Sequence, residues 1–291
     1  MADRSKRHGS LRFRLCLEDQ NAEIPKAANS KMNSTVDQLS SIRILETRVH
    51  IAHVSDVIKI MDRWIQSEPE RLHHVINTGM HGIMEAHRDP QILDILNTAD
   101  ILAPDGILTV LVARLNGYKL RKKDTGPELL NKFCEIAEEK QYCFYFYGDT
   151  EETLDRLLNR VNSDFPNIKV VGSHSPPFRM VTIEEDEAIV EEINLAKPDV
   201  LWVGLGMPKQ EQWIYEHRTS ISVPVAVGAG AAFKFMSGTV DRAPTKVQNL
   251  GLEWLWRLVQ EPKRVWRRVF IDAPQFVFLA FLQYARLKKF N

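Results

Sequence analysis

Residues 198–206 read PDVLWVGLG, an unbroken apolar run closed by two glycines, and residues 207–214, MPKQEQWI, follow at once with the proline and polar residues of a helix start. A run that does not alternate with polar residues and passes directly into a helix describes a strand buried on both faces, hence a parallel sheet covered by helices. The same text recurs outward from it, in LHHVIN (72–77), ADILAP (99–104), YCFYFYG (142–148), IKVVGS (168–173) and PVAVGAG (224–230), with helical spacing between the runs. The fold class this predicts is α/β: a Rossmann-like, mostly parallel sheet with helices on both faces. IRILETRVHI (42–51) reads as a further strand and VSDVIKIMDRWI (54–65) as a helix capped by Ser55. Thr125-Gly126-Pro127-Glu128 and Asp149-Thr150-Glu151-Glu152 carry the cap-x-x-Glu spacing of two more helix starts.

A chain of 291 residues, 44% apolar and 26% charged, has ample material for such a core. Its formal net charge is zero, which gives no reason to expect a nucleic-acid partner. Cys16, Cys134 and Cys143 are odd in number and lack metal-ligand spacing, which fits a reducing, cytoplasmic setting. No apolar run has the length of a signal peptide or a membrane span, so any membrane contact is expected to be peripheral. Residues 1–40 mix charge, Ser and Asn without a period and read as a disordered arm, 41–245 as the α/β domain, and 246–291 as a helical appendage.

In parallel sheets, ligands bind beyond the carboxyl ends of the strands. Asp105, in Ala103-Pro104-Asp105-Gly106, stands at such an end and could take a proton from a hydroxyl, although Pro-Asp-Gly is equally a turn and Asp a helix cap. Asn77, Thr78 and His81 offer amide, hydroxyl and imidazole groups suited to orienting a sugar, with no companion ligands for a metal. Gly204, Gly206 and Lys209 lie in a strand-to-helix junction that could turn amides and a cation toward an anion, or simply pack tightly. The third glycine of a dinucleotide fingerprint is missing.

From Arg242 onward ten Lys and Arg face three Asp and Glu. In EPKRVWRRVFI, Arg264, Arg267 and Arg268 share one helix side, with Val265, Trp266, Val269 and Phe270 opposite. A basic, aromatic tail of this kind suits a membrane surface, and equally a helix packed on the core; some arginines could reach inward to a diphosphate.

Taken together, NTGMHGIMEAHRDPQIL, ADILAPDGI, TGPELL, VLWVGLGMPKQEQWI and the run from VAVGAG to EPKRVWRR resemble the WecG/TagA/CpsF family of glycosyltransferases, glycosyltransferase family 26. The resemblance runs from about Ile42 through all but the last twenty or so residues. It implies an inverting transfer of a sugar of N-acetylmannosamine, uronic acid or glucose type from a UDP-sugar to a polyprenyl-diphosphate-linked acceptor, for cell-surface polysaccharide. It implies Asp105 as catalytic base, Gln210 in the active site, and Arg257, Arg264 and Arg267 on diphosphate or acceptor. Self-association and a peripheral place on the inner face of the membrane are implied too. No cofactor and no metal are expected. The rival readings are a nicotinamide-dependent oxidoreductase and a non-catalytic membrane adaptor.

Overall fold

The computed structural model describes residues 39–120, 126–244, 246–247 and 251–290, all within one compact unit. The expected N-terminal arm and the Thr125 cap therefore lie outside the described residues, apart from Leu39 and Ser40. Strands β3 (His73–Thr78), β4 (Ile101–Pro104), β5 (Cys143–Gly148), β6 (Lys169–His174), β7 (Val200–Gly204) and β8 (Val225–Gly228) form one sheet in the order β4-β3-β8-β7-β5-β6. Every neighbouring pair is parallel.

Both faces are covered, which is why the strands lack polar alternation. On β5, Phe144 and Phe146 enter a cluster with Trp202 and Phe133, under helices α1 (Val54–Ser67), α5 (Gly126–Lys140), α6 (Glu151–Asp164) and α9 (Gly230–Met236). Tyr145 and Tyr147 point the other way, to α7 (Ile183–Ala196) and α8 (Lys209–Glu216). Beside these, α2 (Met80–Arg88) and α3 (Pro90–Thr98) cover β3 and β4, and α4 (Ile107–Leu115) follows β4.

Three local expectations are corrected. IRILETRVHI is not one strand but a hairpin, β1 (Ser41–Ile44) and β2 (Thr47–His50), paired antiparallel. Its turn places Leu45 at a φ of 54°, and the Leu45 amide donates to Gln283 Oε1 at 2.9 Å, so a residue far along the chain holds a bend that the local text does not announce. The hairpin protects the edge strand β4: the Leu102 amide donates to His50 Nδ1 at 3.0 Å. Burial, then the Arg48 charge, lowers His50 to about 4, so the ring is a neutral acceptor. Helix α1 starts at Val54 behind His53, whose amide donates to Asp56, and Ser55 sits inside the first turn. Helix α6 is capped by Thr150, which accepts from the Thr153 amide, one residue later than the spacing from Asp149 predicts.

The C-terminal segment forms α10 (Glu253–Gln260), α11 (Pro262–Arg267), a π-helical turn (Arg268–Asp272) and α12 (Ala273–Tyr284). Phe276 and Leu279 of α12 are buried with Ile44, Leu45, Ile83 and Leu102. Gln283 also donates to the Arg43 and Leu45 carbonyls, so the tail closes on the first hairpin. A Phe276→Ala chain is expected to lose about 3–5 kcal/mol in urea unfolding, the cost of deleting a fully buried aromatic ring; an unchanged midpoint would mean that α12 is not part of the core.

Candidate functional site

The loops after β3, β4, β7 and β8 converge because these four strands are neighbours in the sheet. Asp105 follows β4 directly, half-buried, and its amide donates to the Thr78 carbonyl at 2.8 Å, which ties the β4 loop to the β3 loop. Gly79 makes the approach possible, since a Cβ there would lie 2.7 Å from the Asp105 carbonyl oxygen. Gly106 turns the chain into α4 with a φ of 80°. The carboxylate is thereby left facing the site, not capping the helix: Thr109 takes the Asp105 backbone carbonyl, while the Gly126 and Gly106 amides bond to the carboxylate.

Burial raises Asp105 from the ordinary carboxylate value to about 6. The Glu253 charge raises it as well, and the two amides and Arg257 act against that. A carboxylate of this basicity is ionised at neutral pH yet ready to accept a proton.

Asn77 shares the neighbourhood of Gly126 with Asp105. Its Cβ stands 3.4 Å from where a Cβ on Gly126 would lie, a place that is 3.8 Å from Asp105 Oδ2. The Asn77 Nδ2 is buried with no hydrogen-bond partner among the described residues, a donor awaiting an acceptor. Thr78 is buried and turned inward, its hydroxyl on Met207 Sδ at 3.3 Å, where it links the β3 and β7 loops. His81, in the first turn of α2, meets the buried Asp272 carboxylate at 3.2 Å through Nδ1.

The β7 junction is organised by Gln210. Its Oε1 accepts from the amides of Gly206 at 3.0 Å and Gly230 at 3.1 Å, and its Nε2 donates to Glu211 Oε1 at 2.8 Å. Gln210 thus fixes two loops against each other and gives its oxygen to protein amides. Glu211 is buried, with Oε2 unpartnered, and burial pushes it up to about 7. Gly204 ends β7 opposite Gly148 and backs onto the Phe233 ring, a packing position. Gly206, at a φ of 79°, and exposed Lys209 lie on the open side of the junction.

Two of the three anticipated arginines come to this place. Arg264 Nη2 is 3.7 Å from where a Cβ on Gly206 would lie, and the Arg257 charge acts on Asp105. Glu261 joins them, 3.2 Å from Arg264 and 3.5 Å from Arg257. Arg267 is exposed, and no described interaction ties it to the group. Arg268 is half-buried and within electrostatic reach of Arg257, Arg264 and His81. His81, Glu85 and Asp272 bring three potential metal-ligand atoms within 4.8 Å of one another. Arg88 already donates to Asp272 at 2.6 Å and to Glu85 at 3.2 Å, so the negative charge of that cluster is answered by a guanidinium. Sequence reading passed over Glu211, Asp272 and Glu253; nothing in their spacing marks an acid as buried or as neighbour to a distant loop.

A model of the glycosyl transferase WecG/TagA/CpsF family matches residues 42–290. The chain is similar to an N-acetylglucosaminyldiphosphoundecaprenol N-acetyl-beta-D-mannosaminyltransferase of Bacillus spizizenii, 34% identical over 193 residues, which cover 66% of this chain and 72% of that protein. Proteins of the same name are similar in Bacillus subtilis, 30% identical over 66% of this chain and 72% of theirs, and in Staphylococcus aureus strain MW2, 30% identical over 60% and 67%.

The raised value of Asp105 carries a stability consequence. The folded protein holds this proton more tightly than the unfolded chain, so its contribution is full below about pH 4 and is lost as pH rises through about 6. Asp105→Asn removes that loss. The variant should be more stable than the wild type by about 1–2 kcal/mol at pH 8, with the advantage shrinking toward pH 4 in thermal melts; a gain independent of pH would contradict the buried-carboxylate account.

Proposed function

The chain belongs to the glycosyl transferase WecG/TagA/CpsF family, and from that premise we propose that it transfers a sugar of N-acetylmannosamine type from UDP to a polyprenyl-diphosphate-linked acceptor. The acceptor class and the sugar are those in the names of its relatives; the uridine nucleotide follows the family resemblance. The observation that supports the chemistry is Asp105: a half-buried carboxylate at the carboxyl end of the sheet, raised by burial to about 6, with the Arg257 charge acting on it and Arg264 at the Gly206 loop.

In this reading Asp105 removes the proton of an acceptor hydroxyl as its oxygen attacks the anomeric carbon. The carbon–oxygen bond to the diphosphate breaks, UDP departs with the electron pair, and the proton remains on Asp105. Attack opposite the leaving group inverts the anomeric centre. Asn77 Nδ2, a buried donor without a partner among the described residues, on the side chain that shares the Gly126 neighbourhood with Asp105, is the group placed to hold a sugar hydroxyl. Arg257 and Arg264 meet the charge that grows on the leaving diphosphate, the kind of electrostatic assistance that contributes most when its groups are fixed in advance. Gln210 acts as a positioning residue through the Gly206 and Gly230 amides. Family membership removes the oxidoreductase alternative.

The same proposal extends to the outer face of the tail. Trp266, Phe270, Phe278, Phe281 and Leu287 are exposed there, in company with Lys263, Arg267, Arg286 and Lys288. No described helix is long and apolar enough to cross a membrane. The exposed face suits the surface of an anionic bilayer, where a lipid-linked acceptor resides.

Acceptor-dependent UDP release, measured over a panel of UDP-sugars with a short prenyl-diphosphate-linked N-acetylglucosamine, is expected for one donor. Asp105→Asn should lower it about 10²–10⁴-fold. The wild-type rate should rise with pH and level off above about 6 as Asp105 ionises, a midpoint raised chiefly by burial and then by Glu253, with the Gly126 and Gly106 amides and Arg257 acting against them. Full activity in the Asn variant, or a rate without an acid limb, would remove Asp105 as the base. Liposome binding without release from any donor would favour the adaptor reading.

A further inference from the structure

The side chains of Gln210 and Glu211 fill a gap beside Gly228-Ala229-Gly230. A Cβ on Gly228 would lie 2.6 Å from Gln210 Nε2 and 2.9 Å from Glu211 Oε1, and a Cβ on Gly230 would lie 2.9 Å from Gln210 Oε1. The end of β8 and the start of α9 therefore carry glycine where this pair of side chains meets the backbone. Both residues stand in the first turn of α8, and both are buried.

A carboxamide has two ends of nearly the same shape and opposite polarity. Turned one way, Gln210 presents Oε1 to the Gly206 amide at 3.0 Å and the Gly230 amide at 3.1 Å. Turned the other way, it would set an NH2 group against two N–H donors. The first orientation leaves Nε2 as a buried donor in need of an acceptor, and Glu211 Oε1 supplies one at 2.8 Å. The supply is costly: Glu211 Oε2 is buried with no partner among the described residues, and burial pushes the carboxyl up to about 7. An apolar residue of that size would fill the same space without the unpartnered oxygen. It would not choose between the two orientations of Gln210.

We propose that Glu211 is a positioning residue for sugar transfer: by accepting from Gln210 Nε2 it fixes the Gln210 amide, and through that amide it holds the Gly206 loop and the start of α9 in one arrangement. The proposal rests on the transferase reading of the same site. Gly206 stands beside Arg264, whose Nη2 is 3.7 Å from where a Gly206 Cβ would lie, so a shift of this loop moves backbone against a group assigned to the donor. A displacement of about 1 Å near reacting groups lowers rates on the order of 10²-fold.

Hydrogen exchange of the Gly206 and Gly230 amides, followed by NMR with isotope-labelled glycine, and acceptor-dependent UDP release are to be measured on the full chain. The variants are Glu211→Gln, Glu211→Met, Gln210→Ala and the double variant of Gln210→Ala with Glu211→Met. Glu211→Met keeps the volume and removes the acceptor; exchange at both glycines should quicken about tenfold or more, and kcat should fall about 10–100-fold. Glu211→Gln keeps an oxygen in the Oε1 position and should stay within about threefold of wild type in both readouts. In the Gln210→Ala background the methionine substitution should cost less than about threefold further, since a residue that acts through Gln210 then has nothing to act on. Should Glu211→Met fail to fold, Gly228→Ala, whose methyl group would press on both partners, is expected to free the same two amides. Unchanged exchange in Glu211→Met, a glutamine variant as impaired as the methionine one, or a methionine loss kept in full in the Gln210→Ala background would overturn the proposal. A wild type that releases no UDP from any donor would overturn the transferase reading alone, and exchange at the two glycines would then decide the Glu211 contact by itself.

Discussion

The position of the tail depends on one buried carboxylate, Asp272, which lies in a π-helical turn and accepts hydrogen bonds from Arg88 on α2 and from the His81 ring about two turns earlier. Leaving such a carboxylate without partners would cost several kcal/mol, so wherever α2 sits, Asp272 must sit beside it. Helix α2 itself springs from β3 through Gly79, which touches the Asp105 backbone. One ion pair therefore transmits the geometry of the sheet to the tail, and it fixes which side of α11 and the π turn faces the loops. Phe276 and Leu279, four and seven residues further on, bury the next stretch against the same helix and hairpin.

The charge field at Asp105 shows what this placement does. Glu253 raises its basicity and Arg257 lowers it, and both belong to α10. Burial is the main cause of the raised value at Asp105, and these two residues, nearly 150 positions away in sequence, adjust it further because the tail is docked. The same docking carries guanidinium groups to the Gly206 loop, whose shape is set by Gln210. Under the proposed function, the candidate base and the candidate anion-binding arginines are therefore brought together by the same docking, and a perturbation of the tail would act on both.

The strands were legible because a sheet buried on both faces leaves little room for polar residues, and PDVLWVGLG or YCFYFYG admits hardly any other reading. IRILETRVHI was not, since its turn is held by Gln283 from the opposite end of the chain. Asp105 was legible as a carboxylate at a strand end, but its basicity was not, because its burial, and after that the Glu253 and Arg257 charges, come from segments distant in sequence. Thr78 and Gln210 were placed in the right loops, yet the sequence has no means of saying that one hydroxyl turns onto Met207 or that one amide oxygen is consumed by two glycine amides.

Arg267 and Arg268 make the limit concrete. A helical projection puts both on the same side as Arg264, so adjacent arginines look interchangeable. They differ by about 100° around the axis, and the docking of Asp272 four residues later turns that small angle into opposite environments: one guanidinium exposed, the other half-buried among like charges. Clusters of like charge are not maintained by folding alone, since every cation added to the group destabilises the others. In this group the repulsion is met in part by Glu261, shared between Arg264 at 3.2 Å and Arg257 at 3.5 Å, and by the charge of Asp272 acting on Arg268.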